Sequence, residues 1–491
     1  MKEKAIVTGT DARPRIRHND YSPLSPPEAG HWTPRLPVSV VIPAHGGQRF
    51  LDLTLAALSA QTYPAHLTEV VVVDDGSLPP LRLPAVKPEN TRIIRSGPGG
   101  WGPAFALNAG LAVCDGTVVQ RLDADMVIYR DHLERLLRWH HLTDYLVTIG
   151  AKVFVEPPEL TPAQVRDAVA DDRVGDLVDL SAATPSSTER TILRLDGMKK
   201  SRNPYHVVTG PTLSLHRVLW DAVGGLDAEV HRGEDTEFAY RLAQGGAVFV
   251  PDLSARAVHL GVPAQKRNRT ATVRAVEPYH AQRIPLRRDL RKQRGRTWHT
   301  PYVEVVFDVA KATERETRDA VESALTGSIG DVRVLLTAPW SSIRTGRGEA
   351  MAGQEFELRL IQESMRGDPR VHLADQAPVT AFPVPFRYRG SVHAPLAAET
   401  LERMTRTMTD GRLGVLVTES PAGTEAVMER TEAVSRAVLL ARPGETAHDV
   451  ISQTHGIRRT PPGIFWSAPD SGSDVPQERR RGLGLFRRLT S

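Results

Sequence analysis

Two spacings of apolar residues alternate along the first part of the chain. The runs "VSVVIPA", "EVVVVDDGS", "TRIIRS" and "TVVQRL" are short and rich in β-branched residues, which is typical of buried strands. Between them, "QRFLDLTLAALSAQ" places Leu51, Leu55 and Leu58 on one helical face, and "FALNAGLAVC" predicts a second helix. Buried strands that alternate with helices predict an α/β fold with a mostly parallel sheet, in which ligands bind at the carboxyl ends of the strands.

Shifts in composition divide the chain into five predicted segments. The first residues are rich in Pro, Arg and His and have no strand or helix period, and a basic stretch without apolar periodicity follows residue 262. We therefore predict an irregular N-terminal extension (1–36), a first α/β domain (37–265), a basic connector or lid (266–300), a smaller second α/β domain (301–465) and a flexible basic tail (466–491).

The second predicted domain resembles a degenerate copy of the first. Residues 303–340 repeat the order of strand, polar loop, helix and strand that residues 38–77 show, and the spacing agrees within a few residues. The stretch 410–421 is similar to 115–126, and it has Thr418 and Ser420 where the first copy has Asp123 and Asp125. We interpret this as an internal duplication in which the second copy has lost its carboxylates.

Composition narrows the class of protein. Of the 491 residues 40% are apolar and 24% charged, and no run approaches the roughly 18 apolar residues of a membrane span. A single cysteine, Cys114, excludes an intrachain disulfide and fits a reducing compartment. The N-terminus has no signal-peptide pattern, so we expect a cytoplasmic protein. The net charge of +4 is mostly local, and we expect no nucleic-acid partner.

Acidic residues follow several of the predicted strands or open a helix. They are Asp74 and Asp75, Asp123 and Asp125, and Glu234 and Asp235. In a parallel sheet these side chains converge on one edge, where either a cation or hydrogen-bond donors must offset their mutual repulsion, and a divalent metal is the natural inference. Oxygen ligands favour Mg²⁺ or Mn²⁺, which bind carboxylates together with substrate phosphates, and His259 after another apolar run would add an imidazole that favours Mn²⁺.

Each of these signals taken singly has a structural alternative. An isolated D-x-D is more often a strand-end turn or a helix N-cap than a metal site. "DDGS" is also a turn signature, and "GED" before "TEFAYRL" also fits a helix N-terminus with acidic residues that complement the dipole. A lone histidine such as His259 is more often a core residue with its hydrogen bonds satisfied.

The order of the motifs resembles one family. The blocks "VSVVIPAHGG", "QTYPAHLTEVVVVDDGS", "GPAFALNAGLAVCDGTVVQRLDAD", "GPTLSLHRVLWDAVGGLD" and "GEDTEFAYRLAQGGAVFVPDLSARAVHLG" are together similar to family 2 glycosyltransferases of the GT-A fold, over about residues 38–261. The resemblance implies a metal-dependent, inverting transfer of a sugar, of the hexosyltransferase kind, from a nucleotide diphosphate donor, commonly a UDP-sugar, to an acceptor hydroxyl. It also implies a GT-A sheet of the nucleotide-diphospho-sugar transferase type.

The resemblance assigns roles residue by residue. Pro43 and Ala44 match the loop that meets the nucleobase, and Asp74 and Asp75 match the acidic pair that contacts base and ribose. Asp123 matches the D-x-D position that faces ribose and metal. The remaining matches are Asp125 as a metal ligand, His259 as the residue that completes the metal site, Asp235 as the catalytic base and Glu234 as its neighbour that orients the acceptor.

The chain also departs from the family pattern. Leu107 precedes Asn108 where an arginine is frequent, Met126 replaces a third acid, and neither a "QxxRW" motif nor spanning helices are found, which argues against processive synthesis through a membrane channel. Two rival functions remain, a nucleotidyltransferase and a non-catalytic glycan-assembly module. The nucleotidyltransferase would need a glycine-rich, basic phosphate loop, of which "IPAHGGQRFL" is a poor version.

The expected partners are a nucleotide-sugar donor and a glycan or lipid-linked glycan acceptor, in cell-envelope or exopolysaccharide synthesis. Lys266, Arg267 and Arg269 form either a lid over the diphosphate or a solvated charge run. The tail "RRRGLGLFRRL" suits peripheral contact with the inner face of the cell membrane, and a plain disordered tail is the alternative. For the second domain, acceptor binding, packing and homo-oligomerisation stay open.

Overall fold

The computed structural model describes residues 13–261, 268–293, 295–343 and 355–467. In these ranges the first part of the chain forms a nine-stranded sheet, in the order β3-β2-β1-β4-β8-β6-β9-β5 with β7 beside β6. Its strands are β1 (Val38–Ala44), β2 (Thr68–Asp74), β3 (Thr91–Arg95), β4 (Val118–Arg121), β5 (Met126–Ile128), β6 (Leu146–Val155), β7 (Thr184–Pro185), β8 (Leu213–His216) and β9 (Val248–Leu260).

The first four strands of this sheet are parallel. Strand β1 pairs with β2 and with β4, and β2 pairs with β3, so the carboxyl ends of these strands meet at one edge. The remainder is mixed, because β8 runs antiparallel to both β4 and β6, and the short β5 runs antiparallel to β9. All seven residues of β2 are buried, as expected for a strand covered on both faces.

Helices cover both faces of the sheet. In α1, Leu51, Leu55 and Leu58 are buried as the helical spacing predicts. The helices are α1 (Gln48–Leu58), α2 (Pro103–Leu111), α3 (His132–His140), α4 (Pro162–Ala170), α5 (Glu189–Arg194), α6 (Arg217–Ala222), α7 (Glu234–Gln244), α8 (Arg269–Arg283), α9 (Glu314–Leu325), α10 (Phe356–Met365), α11 (Thr400–Asp410), α12 (Thr431–Leu440) and α13 (Ala447–Thr454).

A second sheet follows, with seven strands in the order β12-β11-β10-β13-β15-β14-β16. Its strands are β10 (Val303–Asp308), β11 (Val332–Thr337), β12 (Val371–Ala374), β13 (Phe386–Gly390), β14 (Val415–Glu419), β15 (Glu425–Arg430) and β16 (Ile457–Arg459). The structure thus confirms the predicted class, an α/β domain followed by a smaller α/β domain.

The second sheet repeats the strand order of the first. Strands β10 to β13 take the places of β1 to β4 and are parallel, and β15, β14 and β16 take the places of β8, β6 and β9 with the same directions. This agrees with the predicted duplication. Strands at matching positions also follow one another in the same order along the chain in both sheets. The connections between the strands therefore agree as well as the strand order within each sheet.

The predicted match of Thr418 and Ser420 to Asp123 and Asp125 is wrong. Thr418 lies on β14, which occupies the position of β6, whereas the D-x-D follows β4, whose counterpart is β13. The fourth pair of each register joins Val41 to Arg121 and Val306 to Arg389. Two and four residues further on, the second copy has Ser391 and His393. The second copy therefore lacks both carboxylates, at positions other than the predicted ones.

The two sheets share a hydrophobic core. Residues of β14, α12 and α13 pack into the same buried cluster as β6, β8 and α7 of the first sheet. Arg436 of α12 is 3% exposed and donates to the carbonyl groups of Gly246, at 2.8 Å, and Ala247, at 3.0 Å. The second sheet is therefore packed firmly against the first.

The N-terminal residues bridge the two sheets. Residues 13–37 contain no helix and only an isolated β-bridge. Arg13 pairs with Asp144 of the first part at 2.6 Å, and the His18 amide donates to the carbonyl oxygen of Thr454 at 2.8 Å. The irregular segment is thus held by contacts with both domains.

The structure describes only parts of the predicted basic connector and of the predicted basic tail. The predicted basic connector contains a helix, α8, which the absence of apolar periodicity did not predict. Lys266, Arg267 and the part of the predicted basic tail beyond residue 467 lie outside the described residues, as does the side chain of Arg269. Among the described helices, none combines the length and apolarity that crossing a bilayer requires.

Candidate active site

The D-x-D acids lie at the parallel edge of the first sheet, directly after β4. Leu122 continues that strand through a hydrogen bond from its amide to Val41, which fixes where Asp123 leaves the sheet. Antiparallel pairing of Met126 with His259 then places Asp125 beside His259. The Leu260 amide donates to the Asp125 carbonyl at 2.8 Å, so the backbone holds the two residues together.

These residues form a candidate metal centre. One ligand atom from each of Asp123, Asp125 and His259 lies within 4.8 Å of the others, and His259 Nε2 is 3.5 Å from Asp125 Oδ1. The side chains are partly accessible, with exposed fractions of 27%, 34% and 17%. Two carboxylates and an imidazole, open to solvent on one side, fit Mn²⁺ or Mg²⁺ with positions left for phosphate oxygens.

Glu234 and Asp235 open helix α7, but their environments differ. Glu234 is 7% exposed and pairs with Arg121 Nη2 at 3.1 Å, and burial raises its pKa. Asp235 is partly exposed; its Oδ2 accepts from the Gly210 amide at 3.1 Å and its Oδ1 from the Thr236 amide at 2.7 Å. Asp235 is therefore the acid of this pair that is oriented by neutral donors and open to a substrate.

Two buried cations lie beneath these acids. Arg121, on β4, is 6% exposed and contacts Asp123 and Glu234, and their charges with that of Asp235 raise its pKa against the effect of burial. Lys152, on β6, is 5% exposed and donates to the Thr209 hydroxyl. Burial lowers the pKa of Lys152 to about 8, although Asp123 and Asp235 oppose that shift.

The carboxylates of this edge lie close enough to share their cations. Asp123 and Asp235 both act on Arg121 and on Lys152, and Asp123 is also one of the possible metal ligands. A divalent cation at those ligands would reduce the repulsion among neighbouring carboxylates, which supports the fit of such an ion.

A glycine is required where the chain crosses Arg121. A Cβ on Gly210 would lie 2.1 Å from Arg121 Cζ, so any larger residue would displace the buried guanidinium. The same residue donates its amide to Asp235. Gly210 thus connects the buried cation to the candidate base, and the sequence analysis did not identify it.

The predicted nucleotide-binding residues follow β1 and β2. Ala44 accepts a hydrogen bond from the Asp75 amide at 2.8 Å, and Pro43 precedes it on the strand. Asp75 accepts from the Ser96 hydroxyl at 2.8 Å and from the Gly102 amide at 2.6 Å. These contacts place Asp75 and the glycine-rich loop at the same edge as the D-x-D.

The Asp74 side chain accepts hydrogen bonds from the loop that follows it. It is 3% exposed and accepts from the amides of Ser77, at 2.8 Å, and Leu81, at 3.1 Å. Burial alone would raise its pKa, but the hydrogen bonds from Ser77 and Leu81 lower it overall. Asp74 therefore shapes the loop, and Asp75 is the better placed of the two to meet a ligand.

An aromatic pair stands near the start of α7. Trp101 is 63% exposed and stacks on His231 with ring centroids 4.5 Å apart and an angle of 3° between the planes. Tyr279 of α8 contacts His231 edge-on, and His280 bonds the Gly233 carbonyl at 3.0 Å. Helix α8 thus contacts the loop that leads into α7 and Asp235, next to an exposed ring.

The sequence analysis missed both Arg121 and Lys152. Each is a charged residue within an apolar strand, "TVVQRL" and "LVTIGAKVFV", and that conflict with a buried position is the signal that could have identified them. The carboxylates were identified because they follow apolar runs and so interrupt the pattern visibly.

Comparison with known proteins agrees with the motifs. Residues 39–208 match the model of the glycosyl transferase family 2. The matched range includes Pro43, Asp75 and Asp125 but ends before Asp235 and His259. The match confirms the family resemblance drawn from the sequence.

Several known proteins are similar to the chain. A chondroitin synthase from Escherichia coli is 23% identical over 69% of this chain and 50% of its own length. A chondroitin synthase from Pasteurella multocida is 29% identical over 43% of this chain and 23% of its own length. A solved mannosyltransferase from Pyrobaculum calidifontis, in complex with GDP-Man and Mn²⁺, is 18% identical with a TM-score of 0.32, covering 53% of this chain and 66% of that one. The chain spans half or less of the length of these two synthases.

Proposed function

Because the chain carries a glycosyltransferase family 2 domain over residues 39–208, we propose that it is an enzyme that transfers a sugar from a nucleotide-diphosphate donor to an acceptor hydroxyl with inversion. The observation that carries the proposal is the acidic cluster, in which Asp123, Asp125 and His259 form one group and the accessible Asp235 acts with Asp123 on the same buried cations. We infer a UDP-sugar as donor and a glycan or lipid-linked glycan as acceptor.

The metal-binding part of the site would be Asp123, Asp125 and His259, with Mn²⁺ or Mg²⁺ as the ion. A divalent ion there would offset the charge of the leaving diphosphate. Pro43, Ala44 and Asp75 would contact base and ribose, and Asp74 would hold the loop that shapes this contact. The acidic cluster without an ion would repel a diphosphate, so donor binding should depend on the metal.

Asp235 is the proposed general base. It would take the proton of the acceptor hydroxyl while that oxygen forms its bond to the anomeric carbon and the bond from that carbon to the diphosphate oxygen breaks. Gly210 and Thr236 orient its carboxylate without neutralising it. Glu234 is paired with Arg121 and buried, so its role would be to position the start of α7 and not to carry a proton.

The aromatic pair is the proposed acceptor platform. Trp101 offers an exposed ring face near the loop that leads into Asp235, and aromatic faces pack well against the apolar faces of sugar rings. This position would bring an acceptor hydroxyl towards the base. A cell-envelope or exopolysaccharide product, contact with the inner membrane face and homo-oligomerisation belong to the same proposal and need separate tests.

The test is turnover of a panel of nucleotide sugars by the purified chain, with Mn²⁺, Mg²⁺ or EDTA. We expect metal-dependent release of the nucleoside diphosphate, lost in Asp125→Ala and Asp235→Ala. Asp167→Ala, which changes an exposed acid on α4, is the matched control and should keep full activity. Turnover in EDTA equal to that in Mn²⁺, or full activity of both site variants, would refute the assignment. Diphosphate release from a nucleoside triphosphate and a sugar phosphate would instead indicate a nucleotidyltransferase.

A further inference from the structure

A cavity lies between the two sheets, away from the acidic cluster. Its volume is about 180 Å³, and it is lined on one side by residues 201–204 and the carboxyl end of α7 and on the other by α11 and α12. Helix α7 has 11 residues, and at 1.5 Å per residue roughly 15 Å separate its two ends. The cavity therefore lies at the opposite end of α7 from Asp235.

The cavity wall is strongly basic. Five arginines line it, and the carboxylate among the lining residues is that of Glu432. The arginines are Arg202, Arg288, Arg412, Arg430 and Arg436. Guanidinium groups keep their charge at all ordinary pH values, so the wall carries several positive charges in excess.

The histidines of the wall do not add to this positive charge. Burial, followed by the charge of Arg412, lowers the pKa of His18 to about 3, and burial and the charge of Arg436 hold the pKa of His455 well below its usual range. Both rings are neutral at physiological pH. The positive field around them comes from the arginines, and a bound anion is the group that would balance it.

The arginines differ in how their charges are balanced. Arg436 is enclosed by carbonyl groups and acts as a structural link between the sheets. Arg288 pairs with Asp331 at 3.2 Å and Arg202 with Asp410 at 3.6 Å, both partners lying outside the cavity lining.

Arg412 and Arg430 are partly exposed at the cavity, whereas Arg436 is buried. Arg412 donates to the Ser201 carbonyl at 3.1 Å, and Arg430 donates to the Leu413 carbonyl at 3.1 Å and lies 3.8 Å from Glu432. Carbonyl acceptors satisfy N–H groups but leave the positive charge in place.

We propose that this cavity binds a multiply charged oxyanion, either orthophosphate or a diphosphate group, between Arg412 and Arg430. The planar fork of arginine matches phosphate oxygens, and two such residues line the cavity, with more positive than negative side chains in its wall. The volume is several times what one water molecule needs. Since residues 201–204 belong to the first part of the chain and both arginines to the second, the bound anion ties the two parts together.

The experiment uses the full chain with Asp125→Asn in EDTA, so that the acidic cluster cannot take up diphosphate through a metal. Inorganic diphosphate, orthophosphate and UDP are titrated separately at ionic strength matched with KCl, and thermal unfolding and calorimetry report binding. We expect diphosphate to raise the unfolding temperature in a saturable way, since a ligand of the folded state stabilises it. Binding of orthophosphate and diphosphate but not UDP would identify a free anion as the ligand. Binding of UDP would identify a nucleotide diphosphate.

Variants separate this site from general charge effects. Arg412→Gln and Arg430→Gln should each weaken diphosphate binding at least tenfold, whereas Arg406→Gln, an exposed arginine of α11, should not change it. Thr409→Glu places a carboxylate in the cavity wall and should raise the unfolding temperature without ligand and abolish the response to diphosphate. No saturable response in the parent chain, or an unchanged response in Thr409→Glu, would overturn the proposal even if an arginine variant failed to fold.

Discussion

Replacement of Lys152 by methionine is expected to make the protein more stable and less active. The ammonium group is almost fully buried on β6, and its pKa in the fold is about 8 against 10.5 for an ordinary lysine. That difference of about 2.5 pKa units corresponds to about 3 kcal/mol against the charged form. Methionine has a similar length and removes this cost. The lost hydrogen bond to Thr209 offsets about 1 kcal/mol, which leaves a net gain of about 2 kcal/mol at pH 7.

The pH dependence of the gain identifies its cause. Between pH 8 and 10.5 the unfolded lysine holds its proton and the folded one releases it, so the unfolded state binds more protons. The free energy of unfolding of the parent protein therefore rises with pH through this window relative to the variant. The advantage of Lys152→Met should fall from about 2 kcal/mol at pH 7 to about zero at pH 10.

The assay is urea denaturation in EDTA at pH 7, 8, 9 and 10, with parent and variant compared at each pH. Lys200→Met, which changes a lysine with a side chain 74% exposed, is the matched control and should show no such trend. A variant that is less stable than the parent at pH 7 by an amount that does not change with pH would refute the reasoning. Turnover should fall about tenfold to a hundredfold, because Thr209 adjoins Gly210, which orients Asp235.

Three further predictions follow from the described contacts. Asp235→Asn should lower kcat by about 10²- to 10⁴-fold and leave donor affinity unchanged, because the amide oxygen still accepts from Thr236; steady-state kinetics with near-parental turnover would contradict this. Trp101→Ala should raise the acceptor KM up to about tenfold, the value of one aromatic contact, with little change in kcat, and acceptor titrations that give the parental KM would speak against the platform. The parent should lose about 2 kcal/mol between pH 7 and 5 through His132, whose pKa burial lowers to about 4, since the unfolded ring takes up a proton first. His132→Phe should lose correspondingly less in parallel denaturation curves, and equal losses would exclude this histidine.

The helices and strands could be predicted because they follow the apolar pattern of the sequence. The acidic residues of the site could be predicted because they interrupt that pattern. Strands β1, β2 and β4 each contain a buried apolar run, and Asp75 and Asp123 stand out shortly after two of these strands. The nearness of Asp125 to His259 came from the family resemblance and not from the apolar pattern, since it depends on the antiparallel pairing of β5 with β9, two strands far apart in the sequence. Pattern similarity also misassigned Thr418, because apolar runs of similar length occupy different positions in a sheet.

The buried charges were harder to predict for a physical reason. Strands are predicted from the alternation or continuity of apolar residues. In such a pattern Arg121 and Lys152 only weaken the prediction of a strand and do not indicate a site. Their positions make sense only once Glu234, Asp123 and Asp235 are known to surround them. The carboxylates that balance these two buried cations are thus recognised from the three-dimensional arrangement and not from the spacing of residues in the sequence.

The second sheet shows which of these charges the fold itself needs. Arg389 occupies the sheet position of Arg121, but its partner is Glu429 on the adjacent β15, and the positions of the D-x-D hold Ser391 and His393. The strand order is kept without the acids. In the first sheet, by contrast, Arg121 is buried among Asp123, Glu234 and Asp235, and burying such charges is costly unless they balance one another. Since the same topology forms without the D-x-D acids, the fold itself does not need them, which agrees with the role proposed for them in binding.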